Sequence, residues 1–190
     1  MVFNILTASL MCLLLVIMTT PLQNRADKQG KHEFKNRTRL LMVAGQFVSL
    51  ACVFLSFPAK SHSIGMLYVS PVFNLCGMAA MLAGLTIRII AMLQLGKFYT
   101  PLLFVNNDQP LVTRGLYRLI RHPVYLGDLV FFCAVGFSLA NYLVILIECT
   151  IMVPSYLIRI AGEEKMMVSA MGKEYRDYMA ETRKLIPFIF

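Results

Sequence analysis

Five apolar runs, each close to the length that crosses a bilayer, most constrain how this chain can fold. They cover residues 2–19, 40–57, 72–95, 124–139 and 142–160. About 20 apolar residues in a helix span the hydrocarbon layer, and the composition agrees, with 58% hydrophobic and 15% charged residues. The pattern predicts an all-α polytopic membrane protein with about five transmembrane helices. The first run lacks a basic start, so we interpret it as a retained helix rather than a signal peptide.

The positions of lysine and arginine predict how these helices are oriented. Residues 22–39, 96–122 and 159–190 hold every basic residue except Lys60 and Arg88. Because cytoplasmic loops retain positive charge, the N-terminus is expected outside and the C-terminus in the cytoplasm. The net charge of +8 is then an orientation signal, and no nucleic-acid partner is expected. The short chain favours a prokaryotic plasma membrane, with the endoplasmic reticulum as the alternative for a eukaryotic source.

Two polar stretches flank the last two apolar runs. Residues 115–127 read GLYRLIRHPVYLG and residues 159–164 read RIAGEE. The tight turn at 139–141 predicts an antiparallel helical hairpin that returns the second stretch to the first. Pro123 suits the first position of a helix whose positive end attracts an anion, with His122 and Tyr125 beside it.

Read in order, Arg-His-Pro-x-Tyr followed by Arg-x-x-x-Glu-Glu resembles the isoprenylcysteine carboxyl methyltransferase family of integral membrane enzymes. The resemblance runs from about residue 95 to the C-terminus and implies S-adenosylmethionine as the cofactor. We expect Glu163 and Glu164 to receive its cationic or hydroxyl-bearing parts. The family also has histidine where this chain has Gln109. The cofactor-binding residues predicted in this way are Gln109, Pro110, Leu111, Val112, Tyr117, His122, Pro123, Val124, Tyr125, Glu163 and Glu164.

The expected chemistry is methyl transfer to an amphiphilic acceptor at the cytoplasmic face. The nearest family reaction is carboxyl O-methylation of an isoprenylcysteine-type substrate, with Arg159 near the substrate and His122 as the second catalytic candidate. A carboxylate acceptor needs in-line placement and exclusion of water, whereas an amine must lose a proton to His122 or a glutamate. Three alternatives stay open: a phospholipid or small-amine N-methyltransferase, an NADPH-dependent membrane reductase and a non-enzymatic membrane adaptor. The expected partners are a lipophilic or prenylated substrate and membrane lipids.

The chain divides into an N-terminal membrane region, residues 1–95 with three spans, and a catalytic region, residues 96–190. The second region contains the cofactor-binding loop, the hairpin and, after Gly162, an amphipathic C-terminal helix. Arg88, Asp128 and Glu148 lie within spans, where ionisable residues usually face protein or water; Glu148 is interpreted as structural. Five cysteines inside the spans are interpreted as packing residues, and no metal site is predicted.

Overall fold

The computed structural model describes residues 5, 8, 9, 11–13, 15, 43–54, 65–67, 70–99 and 110–187. Its helices are α1 (Val43–Phe54), α2 (Pro71–Leu95), α3 (Pro123–Leu139), α4 (Tyr142–Met171) and α5 (Lys173–Glu181). Short 3₁₀ turns cover Gly96–Phe98 and Gly115–Arg118. Within these residues the only β-type pairings are two isolated bridges, so the described part of the fold is all-helical.

Among the described helices, α2 and α4 are long and apolar enough to cross a membrane. With 17 residues, α3 is about 26 Å long at 1.5 Å per residue. The first predicted span, 2–19, lies mostly outside the described residues. The second, 40–57, corresponds to α1 in its described part. The count of five spans, the orientation of the termini and the division at residue 95 stay predictions.

Glycines bring α2 and α3 into backbone contact. A Cβ atom at Gly84 would lie 2.6 Å from the Phe131 nitrogen and 2.7 Å from the Gly127 carbonyl oxygen. A Cβ atom at Gly127 would in turn lie 2.6 Å from the Gly84 carbonyl oxygen, and one at Gly77 would collide with the Ser138 backbone. Small residues of α2 therefore allow this close approach of the two helices. The core beside this contact includes Met81, Phe131, Phe132, Val135, Met152 and Tyr156.

A tight turn joins α3 to α4, as the sequence predicts. Ala140 ends α3 in the left-handed conformation at φ 50°, and its carbonyl oxygen accepts a hydrogen bond of 2.7 Å from the Leu67 nitrogen. Asn141 caps α4, because its side-chain oxygen accepts hydrogen bonds from the Leu143 and Val144 nitrogens. The two helices consequently run antiparallel and return the chain to the start of α3.

The C-terminal helix begins later than the sequence predicts, because α4 continues through Gly162 to Met171 and α5 starts at Lys173. A single glycine weakens a helix by only about 1 kcal/mol, and the flanking residues are good helix formers. The break comes at Gly172, whose φ of 60° favours glycine, and α5 follows. The 30 residues of α4 extend about 45 Å, longer than a hydrocarbon layer of about 30 Å. The helix is therefore nearly three turns longer than the thickness of the layer.

Candidate active site

The site is built around the start of α3. Pro123 occupies the first helical position, where its missing N–H has no helical acceptor, as the sequence predicts. His122 precedes it as the N-cap residue, and no side chain makes a capping hydrogen bond there. The His122 side chain is buried, and its Nε2 makes no hydrogen bond of good geometry with a described residue. The positive end of α3 and a buried ring nitrogen therefore lie next to each other.

The Tyr125 hydroxyl connects α3 to α4. It donates a hydrogen bond of 2.7 Å to Glu163 Oε2 and accepts one of 3.2 Å from Arg159 Nε. The Tyr125 ring stacks on His122 with centroids 5.6 Å apart. The structure thus brings together four predicted site residues from two separate stretches. Glu163 is only half-buried, so its carboxylate keeps access to a ligand.

Glu164 lies in a different environment from its neighbour. Its Oε1 accepts a hydrogen bond of 2.8 Å from Arg121 Nε and lies 3.4 Å from His122 Nε2, while Lys184 Nζ is 3.5 Å from Oε2. Burial opposes ionisation of this carboxyl, but the contacts with His122 and Arg121 outweigh it and lower its pKa to about 2. Glu164 is therefore a carboxylate whose negative charge is already matched by protein cations.

The C-terminal segment packs on the same motif. The Arg121 Nη1 atom donates to the carbonyl oxygens of Met179, at 3.1 Å, and Thr182, at 2.5 Å. The Tyr178 hydroxyl donates a hydrogen bond of 2.7 Å to the Tyr117 carbonyl oxygen. A parallel bridge between Ile120 and Arg183 continues this contact along the backbone. The tail that follows α4 thus covers the segment that leads into α3.

The segment before the motif reaches the site through a small apolar cluster. Val112 and Tyr125 pack against the buried residues Ala91, Tyr117 and Val124. Burial raises the pKa of the Tyr117 hydroxyl, which therefore stays protonated at neutral pH.

The other residues predicted for this segment are placed less closely. Pro110 is exposed and Leu111 is half-buried. Neither packs against the cluster of Ala91, Tyr117 and Val124, called the Ala91 cluster below. Gln109 lies outside the described residues. Of the four consecutive residues predicted to bind cofactor, only Val112 is therefore shown next to the other site residues.

A known protein family matches the part of the chain that contains these residues. Residues 76–169 match the model of the isoprenylcysteine carboxyl methyltransferase family. The matched region contains α3, the hairpin turn and both glutamates. This part of the chain belongs to the isoprenylcysteine carboxyl methyltransferase family. The sequence resemblance is confirmed, and with it the membrane nature of the chain.

Individual relatives support the same family. The chain is 29% identical over 115 residues to a probable protein-S-isoprenylcysteine O-methyltransferase of Oryza sativa subsp. indica, covering 60% of each chain. It is 37% identical over 73 residues to methanethiol S-methyltransferase of Mycobacterium tuberculosis, covering 38% of this chain and 29% of that one. The chain therefore spans only about three fifths, or less, of the length of these curated relatives.

A solved structure shows the same fold. The eukaryotic intramembrane Ras methyltransferase, an isoprenylcysteine carboxyl methyltransferase, aligns with a TM-score of 0.57 and 26% identity. The alignment covers 83% of this chain and 55% of that one. The similarity consequently extends beyond the residues that match the family model.

Several residues around the motif were missed by the sequence reasoning. The Gln94 side-chain oxygen accepts a hydrogen bond of 2.9 Å from the Leu116 nitrogen and so fixes the turn at Gly115. A polar residue in the last turn of an otherwise apolar helix is a signal that could have revealed it. Tyr178 and Lys184 contact the site only through the folded tail, and no spacing in the sequence indicates this.

The residues present fit the methyl donor that the family uses. S-adenosylmethionine carries a carboxylate, an ammonium and a sulfonium. The uncapped start of α3 suits its anionic end. The accessible Glu163 carboxylate suits a cationic end. Glu164 fits less well, because Arg121, Lys184 and the His122 ring already surround it.

Proposed function

We propose that the protein is an S-adenosylmethionine-dependent methyltransferase of the membrane that acts on the carboxylate of an isoprenylcysteine-type acceptor. The observation that supports this most directly is the Tyr125, Glu163 and Arg159 cluster at the junction of α3 and α4. It unites the two sequence motifs in one place, and the family membership gives the arrangement its chemistry.

His122 and Glu163 divide the binding of the cofactor between them. When bound, the cofactor supplies a methyl group on a positively charged sulfur. His122 and the start of α3 hold its carboxylate, while Glu163 holds its ammonium or a ribose hydroxyl. The apolar cluster of Val112, Tyr117 and Val124 excludes water from the same side. We assign Gln109, Pro110, Leu111 and Pro123 to the wall of this pocket as well.

Arg159 is the residue that binds the acceptor. It is buried on α4, and its Nε is held by the Tyr125 hydroxyl at 3.2 Å. A guanidinium presents several donors in a fixed plane, which suits bidentate binding of a carboxylate. An acceptor that is already ionised needs no base, so the protein has only to align it with the methyl group and exclude water.

The site lies on the cytoplasmic side in this proposal. Both motifs occur in segments rich in lysine and arginine, and such segments remain in the cytoplasm. A lipophilic acceptor then enters from the bilayer, whereas the cofactor enters from the aqueous side. The source of the protein decides between a prokaryotic plasma membrane and the endoplasmic reticulum.

Methyl transfer is tested with detergent-purified protein and labelled S-adenosylmethionine. The acceptors are an N-acylated S-prenylcysteine, a phosphatidylethanolamine and methanethiol; the thiol is included because of the match to a methanethiol S-methyltransferase. We expect label in base-labile methyl ester of the prenylcysteine. Label only in methanethiol would indicate S-methylation instead, and label only in the lipid would indicate N-methylation.

Cofactor binding is measured separately by calorimetric titration with S-adenosylhomocysteine and, in parallel, NADPH. Glu163→Gln should weaken S-adenosylhomocysteine binding on the order of 100-fold, because a charge-assisted contact is lost. Glu174→Gln, an exposed glutamate on α5, is the matched control and should bind like the wild type. Binding of NADPH alone would support a reductase, and a folded protein that binds neither compound would support an adaptor.

A further inference from the structure

An ion pair lies within the membrane part of the chain, next to the proposed site but outside it. Arg88 of α2 and Asp128 of α3 form a salt bridge, and the two residues are only 4% and 2% exposed. Burying two charges has a desolvation cost that the pair itself barely offsets. A pair kept in such a position suggests a role beyond holding the helices together, because the glycine contact already does that.

The glycine contact determines where the pair sits. Gly127 precedes Asp128, and a Cβ atom at Gly127 would lie 2.7 Å from the Arg88 nitrogen. The α2 backbone thus passes directly against the residue that precedes Asp128. Asp128 also follows Tyr125 by three residues, so the two side chains lie on neighbouring parts of one face of α3.

Two tyrosines extend from the pair towards the site. Arg88 Nη2 donates a hydrogen bond of 3.4 Å to the Tyr99 hydroxyl. The Tyr156 hydroxyl lies beside the Asp128 carboxylate, although it makes no hydrogen bond of good geometry with a described residue. Tyr99 packs against the Ala91 cluster that also contacts Tyr125, and the Tyr156 ring lies 5.5 Å from the Tyr125 ring.

We propose that Arg88 and Asp128 are positioning residues for methyl transfer. Their ion pair holds the Tyr99 hydroxyl and lies beside Tyr156, and the Tyr156 ring packs on Tyr125, whose hydroxyl bonds Glu163. The inference rests on the proposed function, in which Glu163 binds the cofactor and Tyr125 contacts Glu163. Neither member of the pair touches cofactor or acceptor. Their effect reaches the reaction through the orientation of the Tyr125 hydroxyl, and a misplacement of about 1 Å at a reacting centre can lower a rate on the order of 100-fold.

Fluorine NMR of protein labelled with 3-fluorotyrosine tests this without any cofactor. The chain has eight tyrosines, and Tyr125→Phe assigns the Tyr125 resonance. Arg88→Met combined with Asp128→Leu removes both charges together, a replacement that often leaves stability unchanged or improved. Arg88→Lys keeps the charge but removes the second nitrogen that reaches Tyr99. Glu148→Gln, which removes a buried carboxylate elsewhere on α4, is the matched control.

We expect the Tyr125 resonance to move in the double variant and in Arg88→Lys, but to stay in place in Glu148→Gln. In the methyl-transfer assay the double variant should lose kcat on the order of 100-fold with a smaller change in KM. If the double variant does not fold, Arg88→Lys decides alone. An unmoved Tyr125 resonance in a folded variant overturns the proposal. Failure of the wild type to bind S-adenosylhomocysteine would instead count against the proposed function, because the resonance is measured without ligand.

Discussion

Glu163 and Glu164 are identical neighbours on α4, yet they belong to two different regions of the molecule. Glu163 faces Tyr125 and Arg159 and is half-buried. Glu164 is only 8% exposed and is held among Arg121, His122 and Lys184. One carboxylate is available for a ligand, and the other fastens the C-terminal tail to the motif.

The difference follows from helix geometry. Consecutive residues of an α-helix point about 100° apart, so two neighbours cannot face the same partner. A glutamate pair at the end of a helix therefore contributes to two surfaces at once. Here the surfaces are the proposed cofactor side and the tail side, and His122 lies between them. Substitution of the two glutamates should therefore have different effects, on ligand binding for Glu163 and on stability for Glu164.

The largest effect is expected for Glu164→Gln on stability. Removing one partner of a buried ion pair leaves Arg121 and Lys184 uncompensated, at a cost of roughly 3 kcal/mol. Thermal unfolding in detergent should show a clear fall in Tm for Glu164→Gln and little change for Glu163→Gln. Equal falls in the two variants would mean that the two glutamates have the same structural role.

The dependence of Tm on pH tests the role of Glu164 in a second way. Because the pKa of Glu164 is lowered from 4.5 to about 2, its stabilising contribution is fully present above pH 4.5. That contribution is lost as the pH falls from 4.5 towards 2. The wild type should therefore lose more Tm over this interval than Glu164→Gln, which lacks the titrating group. Parallel Tm curves for the two proteins would show that Glu164 is not the group responsible.

Tyr125→Phe tests the cofactor side. The substitution removes the hydroxyl that donates to Glu163 at 2.7 Å and accepts from Arg159 at 3.2 Å. A hydrogen bond to a charged group contributes about 1.5–3 kcal/mol, so S-adenosylhomocysteine should bind about tenfold or more weakly. Tyr142→Phe, at the exposed start of α4, is the control and should bind normally. Unchanged affinity in Tyr125→Phe would show that Glu163 does not depend on this contact.

The smallest effect is expected for Tyr178→Phe on the tail side. It removes the hydrogen bond of 2.7 Å to the Tyr117 carbonyl oxygen and leaves the ring in place. The expected loss is about 1 kcal/mol in unfolding free energy, with cofactor affinity close to that of the wild type. Hydrogen exchange at the backbone amides of residues 119–121 should rise, because the tail then opens more readily. An unaltered exchange rate there would mean that the backbone bridge and the Arg121 and Glu164 contacts hold the tail without the Tyr178 hydroxyl.

Local rules were enough to predict much of the hairpin and the motif. Pro123 indicates the start of α3, and the three-residue spacing of His122 and Tyr125 places their rings together. The turn at residues 139–141 fixes the return of α4, which is what brings Arg159 and Glu163 to Tyr125. Each of these predictions depends only on spacing along one or two helices.

What the sequence could not provide is the contact between distant segments. The role of Glu164 depends on Lys184, which reaches it only because α4 continues past Gly162 and the chain reverses at Gly172. The site of that reversal is a choice between two glycines with similar flanks. Arg88 was recognised as an unusual residue within a span, but its partner depends on the register between α2 and α3.

The glycine contact between α2 and α3 also has a mechanical consequence. At Gly84 and Gly127 the backbones touch with no side chain between them, so the two helices cannot slide past each other without a steric clash. We therefore expect α2 and α3 to move together as one rigid unit. The lipophilic acceptor in our proposal would then have to enter by displacing α4 or the segments that follow it. In a saturation-mutagenesis library these two positions should tolerate no residue except glycine.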